Sequence, residues 1–66
     1  MKTVDIILPN YNSFDSISTT INSILQQSYK NWRLIIIDDG SNKITKDVLI
    51  KFKKYKKIKI FYLKKN

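Results

Sequence analysis

Residues 33–42 read RLIIIDDGSN, an apolar run that ends in two adjacent carboxylates and the only glycine of the chain. Neighbouring aspartates repel each other, so a loop seldom gains stability from holding both. A carboxylate only accepts hydrogen bonds. It suits ribose hydroxyls or a nucleobase N–H, and it repels phosphate. Asp38 and Asp39 are therefore candidates for reading a nucleoside. The competing structural role is that one caps the following helix while the other is solvated, and it weighs more heavily for Asp38 than for Asp39. Gly40 fits a turn position that requires positive φ.

A second set of candidates follows the first apolar run, in Pro9-Asn10-Tyr11-Asn12. Tyr11 can stack on a base or cover a strand edge. Asn12 can meet a ligand or close an Asx-turn, and its chemistry alone favours the turn. Trp32 reads as core rather than site. With one glycine, the first turn cannot be the G-x-G-x-x-G cradle of dinucleotide-binding proteins, which argues against an NAD site. The chain has no cysteine and no histidine. Disulfides, thiolate zinc and an imidazole base are thereby excluded from these residues.

The elements that must position these groups follow from the hydrophobic periods. Residues 3–8 form an apolar strand that Pro9 should end, because proline cannot donate in a ladder. Phe14, Ile17, Ile21, Ile24 and Leu25 recur at helical spacing, predicting a helix to about Gln27 with Ser13 as N-cap. Residues 33–38 lack polar alternation and predict a strand buried on both faces. Ile44, Val48, Leu49 and Phe52 predict a second helix over 44–55, and residues 58–63 a third strand. Alternating strands and helices with short connections predict parallel strands and right-handed crossovers. The fold class is α/β: a three-layer, Rossmann-like β-α-β-α-β unit. In such sheets ligands bind beyond the C-terminal strand ends, where both candidate turns lie.

Sixty-six residues allow one small domain near the lower limit for a self-sufficient core. The chain reads as the front portion, over residues 1–66, of a longer domain. No apolar run approaches the roughly 20 residues of a membrane span, and the N-terminus is too short and polar for a signal peptide. A cytoplasmic location is expected. The formal charge is +8, and eight of the 13 basic residues lie between Lys51 and Lys65. Lysines flanking apolar positions are the ordinary pattern of a solvated surface. The same stretch, with Phe52, Tyr55, Phe61 and Tyr62 interleaved, has the composition of a binder of nucleic acid or of an anionic membrane surface.

The quoted motifs resemble glycosyltransferase family 2. That family opens with an apolar strand and P-x-Y-N, follows with a helix ending in S-[IV]-L-x-Q-[ST]-[YF], and continues with a strand ending in D-D-[GN]-S. Here these are IILPNYN, SILQQSY and LIIIDDGS, matching closely over residues 4–45 and loosely beyond. The resemblance implies the N-terminal, nucleotide-binding half of a GT-A domain. It implies a nucleotide-diphospho-sugar donor, commonly UDP-linked, and inverting transfer to an acceptor hydroxyl in glycan or polysaccharide synthesis. Pro9, Tyr11 and Asn12 would lie in the turn beside the base, with Tyr11 against uracil. Asp39 would accept from the base N–H, and Asp38 would support the turn or the ribose.

The family's D-x-D metal motif and its later catalytic base are absent from these residues. No catalytic and no metal-binding residue is assigned here, the segment is expected to be inactive alone, and Mg or Mn is expected only for the full-length enzyme. The acceptor is expected to be a glycan or a lipid-linked molecule, with peripheral contact at the inner face of the membrane. Asp5 stands where the family usually has a small or hydroxylated residue, and needs a partner if it points inward.

A phosphorelay receiver carries its acidic pair after strand one and a phosphorylatable aspartate after strand three, and neither is present here. A basic nucleic-acid-binding module needs exposed aromatics among its lysines. The spacing instead assigns Phe52 and Phe61 to a helix core and a strand, so no nucleic-acid partner is expected. A three-stranded unit has exposed edges, so self-association is expected in any reading.

Overall fold

A computed structural model of the chain describes residues 2–64, and Lys65, part of the basic stretch, lies outside them. Three parallel strands, β1 (Val4–Asn10), β2 (Trp32–Asp39) and β3 (Ile58–Leu63), stand in the order β1-β2-β3, with α1 (Ile17–Gln26) and α2 (Lys43–Ile50) as the crossovers. This is the expected β-α-β-α-β unit.

Both helices pack on the same face of the sheet. Ile17 and Ile21 of α1 join Leu49 of α2 and Phe52 just beyond it over Trp32, Leu34, Ile36 and Ile58 in one buried cluster. The geometry follows from topology, because two right-handed crossovers that advance the sheet in one direction must lie on one side. The described residues thus build two of the expected three layers. β2 is correspondingly not buried on both faces. Its even-numbered residues are buried, while Ile35 and Ile37 are half-buried on the open face.

The boundaries of β1 and β2 shift for local reasons. β1 runs through Pro9 to Asn10 rather than stopping at residue 8. The Val4 N–H bonds Asn31 O in the direction of β2, so by strand alternation residue 9 turns its nitrogen to the free edge, where proline is tolerated. β2 gains Trp32 and Asp39 beyond the expected 33–38. Trp32 is core, as expected, and the Lys57 ammonium lies 4.9 Å above its ring.

The helices are shorter than their apolar spacing suggests. α1 begins at Ile17 because Phe14–Ser16 form a turn closed by Ser16 N–H and Ile17 N–H, both donating to Ser13 O. Phe14 is thrown outward and is exposed, contrary to its expected place on the core face. Ser16, not Ser13, holds the N-cap position, and the Ser13 hydroxyl donates instead to Asn10 Oδ1. α2 ends at Ile50, after which Lys51, Phe52, Lys53 and Tyr55 bond three residues back in tighter turns. Those turns still deliver Phe52 to the core. Ile44, expected inside, is exposed.

The open face carries Ile7, Pro9, Ile35, Ile37, Phe61 and Leu63, with the Asp5–Arg33 pair at one end. Asp5 points to solvent on this face. Its carboxylate receives both Nε and Nη2 of Arg33, at 2.8 and 3.0 Å. That hydrogen bond first, and the charge of Asp5 second, hold the Arg33 pKa above its ordinary value.

Candidate functional site

The C-terminal ends of β1 and β2 hold a polar network that ties their two loops together. Asn10 and Asp38 are register partners on adjacent strands, and both continue the helix-facing alternation of Ile6, Leu8, Leu34 and Ile36. Their side chains are consequently buried. Asn10 Nδ2 donates to Asp38 Oδ1 at 3.0 Å, and the backbone N–H of Ser41 donates to Asp38 Oδ2 at 3.1 Å. Both carboxylate oxygens are engaged, and the residue has no exposed surface.

The network extends through the loops. Asn12 N–H donates to Ser41 Oγ at 2.8 Å, and Asn42 N–H donates to Asn12 Oδ1 at 2.7 Å. Asn42 in turn caps α2, its side chain accepting from Thr45 N–H at 3.1 Å. Asn12 adopts φ 48°, and Gly40 φ 73°. Asparagine tolerates this left-handed region, and glycine enters it without a Cβ penalty. Two chain reversals therefore bring loops about 29 residues apart into direct contact.

The adjacent aspartates do not form a pair. Strand alternation sends Asp38 to the helix face and Asp39 to the open face. Asp39 is exposed at the end of β2, level with Leu63 of β3 and one step beyond the Pro9–Ile37–Phe61 row. The mutual repulsion suggested by their adjacency is relieved by this divergence. Tyr11, exposed at the start of the first loop, and Asn12 lie on the same end of the sheet. All five candidate residues, Pro9, Tyr11, Asn12, Asp38 and Asp39, thus gather at the C-terminal strand ends, but on two faces. The described residues there form an open ledge and enclose no pocket.

Two further residues belong to this arrangement. Asn10 and Ser41 are among the buried polar residues, and each is a partner of a candidate. The signal for Asn10 lies in the alternation, since a polar residue two positions after Leu8 falls on the helix-facing side. Ser41 carries no comparable signal before the loops are placed together. On β3, Tyr62 is the register partner of Asp38. Burial first, and the Asp38 charge second, raise its phenol pKa above the ordinary value near 10.

The donor set does not fit a metal ion. Asp38 has both oxygens occupied and Asp39 faces away, so the two carboxylates cannot converge on one cation. Among the described residues no group of three or more carboxylates, imidazoles or thiolates is brought together. The arrangement instead offers one fixed internal carboxylate and, at the same end of the sheet, an exposed carboxylate and an exposed tyrosine.

Sequence comparison accords with this geometry. The chain is 41% identical over 64 residues to the Bacillus subtilis teichuronic acid biosynthesis glycosyltransferase TuaG, covering 96% of this chain and 25% of that protein. It is 43% identical over 49 residues to the Escherichia coli UDP-Glc:alpha-D-GlcNAc-diphosphoundecaprenol beta-1,3-glucosyltransferase WfgD, covering 74% and 19%. It is 44% identical over 69 aligned positions to the Staphylococcus aureus poly(ribitol-phosphate) beta-N-acetylglucosaminyltransferase TarP, covering 100% and 21%. The chain therefore spans a quarter or less of the length of these curated relatives. Its residues 5–66 match the model of glycosyl transferase family 2, and with the strand-end motifs and the β-α-β-α-β unit in place, the chain belongs to that family.

Proposed function

We propose that the protein is a glycosyltransferase that takes a sugar from a nucleotide-diphospho-sugar, UDP-linked, and transfers it to an acceptor hydroxyl in glycan or polysaccharide synthesis. These residues contribute the nucleoside half of the donor site and have no transfer activity alone. Asp39 accepts from the base N–H, Tyr11 stacks on the base, and Pro9 and Asn12 shape the turn beside it. Asp38 positions both loops from inside. The observation that carries this reading is the division of labour between the aspartates: Asp38 is consumed by internal hydrogen bonds while Asp39 is exposed to solvent at the same end of the sheet as Tyr11.

Relatives named for acceptors on diphosphoundecaprenol and on poly(ribitol-phosphate) support a glycan or lipid-linked acceptor. A lipid-linked acceptor would bring the protein to a membrane surface, and the reading places it at the inner, cytoplasmic face. No helix among the described residues is long and apolar enough to cross a membrane; the contact proposed for this segment is peripheral. The divalent ion that a family member of full length uses, Mg or Mn, would neutralise the departing diphosphate and would be held by residues outside this segment.

Titration of the chain with UDP, read by calorimetry or NMR shifts, tests the proposal. Saturable UDP binding that Asp39→Ala weakens at least tenfold is the expected result. Equal affinity of the wild type and Asp39→Ala for UDP would overturn the assignment of the base contact. A preference for GDP or dTDP would overturn the identity of the donor nucleotide.

A further inference from the structure

The lysines gather at the end of the sheet opposite the nucleoside ledge. β1 and β2 begin in register at Val4 and Trp32, β3 begins at Ile58 level with Leu34, and the segments that precede the strands meet there. Tyr29 OH donates to Lys2 O at 2.7 Å, the Lys57 ammonium donates to Lys30 O, and Leu34 N–H bonds Lys57 O at 2.8 Å. The tight turns after α2 bring Lys53, Lys54 and Lys56 to the same rim. All of these lysines are exposed, and so are the Tyr29 and Tyr55 rings between them.

Among the described residues no carboxylate without a cationic partner lies at this rim. Asp47 is the last acidic side chain in the sequence and is paired with Lys43 at 3.0 Å along α2. Asp5 is taken by Arg33, and Asp15, Asp38 and Asp39 lie toward the other end of the sheet. The rim is therefore a one-signed field, with two amphipathic rings at its surface.

We propose that this rim, built on Lys30, Lys53, Lys54, Lys56, Lys57 and Tyr55, is a docking surface for an anionic bilayer. It rests on the membrane-side placement proposed above and names the surface responsible. Two features favour a bilayer over nucleic acid. The charge is carried by lysine, a point charge that adds to a diffuse surface potential, rather than by the planar guanidinium that reads phosphates and bases bidentately. Tyrosine flanked by ammonium groups is the composition of a headgroup-level anchor. Docked this way, the strands would stand away from the membrane. The ledge would be held roughly 20 Å above it, one strand length at about 3.3 Å per residue, open to a soluble donor.

Co-sedimentation of the full-length protein with vesicles tests this. One set contains phosphatidylglycerol and phosphatidylcholine, and the other phosphatidylcholine alone. Binding only to the anionic vesicles is expected, weakening as salt rises. Each neutralised lysine near such a surface lowers partitioning about fivefold, so changing Lys53, Lys54, Lys56 and Lys57 together to Gln should lower it at least 100-fold. UDP binding by the same variant is measured in parallel and should be unchanged, which shows the variant to be folded. Loss of UDP binding by Asp39→Ala with vesicle binding intact would be the signature expected of two separate surfaces. Failure of the wild type to bind UDP would count against the donor site alone. Vesicle binding unaffected by the four substitutions, or duplex RNA bound by the rim when anionic vesicles are not, would overturn the proposal.

Discussion

The side-chain amide of Asn10 and the carboxylate of Asp38 meet at 3.0 Å, buried, across 28 positions of sequence. Through them the end of β1 and the end of β2 are joined on the helix face, and Ser41 N–H closes the other carboxylate oxygen. The ledge is therefore organised before any ligand arrives, because its loops are held by groups that a ligand does not have to recruit.

Asp38→Ala strands the Asn10 amide and the Ser41 N–H in a buried setting. Hydrogen bonds to charged groups are worth about 1.5–3 kcal/mol each, and orphaned partners add a desolvation penalty. A loss of about 2–4 kcal/mol is expected in urea denaturation. An Asn10→Ala, Asp38→Ala cycle should show coupling of roughly 1 kcal/mol or more, since contacting residues are not additive.

Asp39→Ala should separate binding from stability. The side chain is exposed and takes no part in the loop network, so denaturation midpoints should move by no more than about 0.5 kcal/mol equivalent. UDP affinity should fall by at least tenfold, or about 1.4 kcal/mol. A large loss of stability would show that Asp39 is structural after all.

Gly40→Ala tests the reversal after β2. At φ 73° a Cβ meets the following carbonyl, and the penalty is about 1–2 kcal/mol. Gly40→Asn should recover part of it, because asparagine visits this region more readily than alanine. Both are read by thermal or urea unfolding.

Tyr62 supplies a pH-dependent prediction. Its phenol pKa is raised in the folded state by burial and by the charge of Asp38. The neutral phenol is the favoured form, so its contribution to stability is complete below the ordinary pKa near 10 and is lost as pH rises through the higher folded value. In a spectrophotometric titration Tyr62 should ionise above that ordinary value, and Tyr62→Phe should remove this raised component. Asp38→Asn should bring it down, if the variant remains folded by circular dichroism.

Element order and the parallel sheet are legible in the sequence. Those follow from local information: a period-2 or continuous apolar run, a period near 3.6, and turn residues between them. The motifs IILPNYN and LIIIDDGS likewise carry the family signature in local sequence. Helix lengths were less legible, because Phe14 and Ile44 share the apolar spacing of true core residues and only the packing of α1 and α2 on one face decides which are covered.

Tertiary structure alone decided what the aspartates are to each other. Adjacent letters look like a pair, but a strand turns successive side chains to opposite faces. Asp38 is thereby sent into the Asn10–Ser41 network and Asp39 out to the ledge. Ser41 and Asn12 become partners only when two loops about 29 residues apart in the chain are brought together by the register of β1 on β2. That register is a long-range property of the sheet. No local window of sequence contains it.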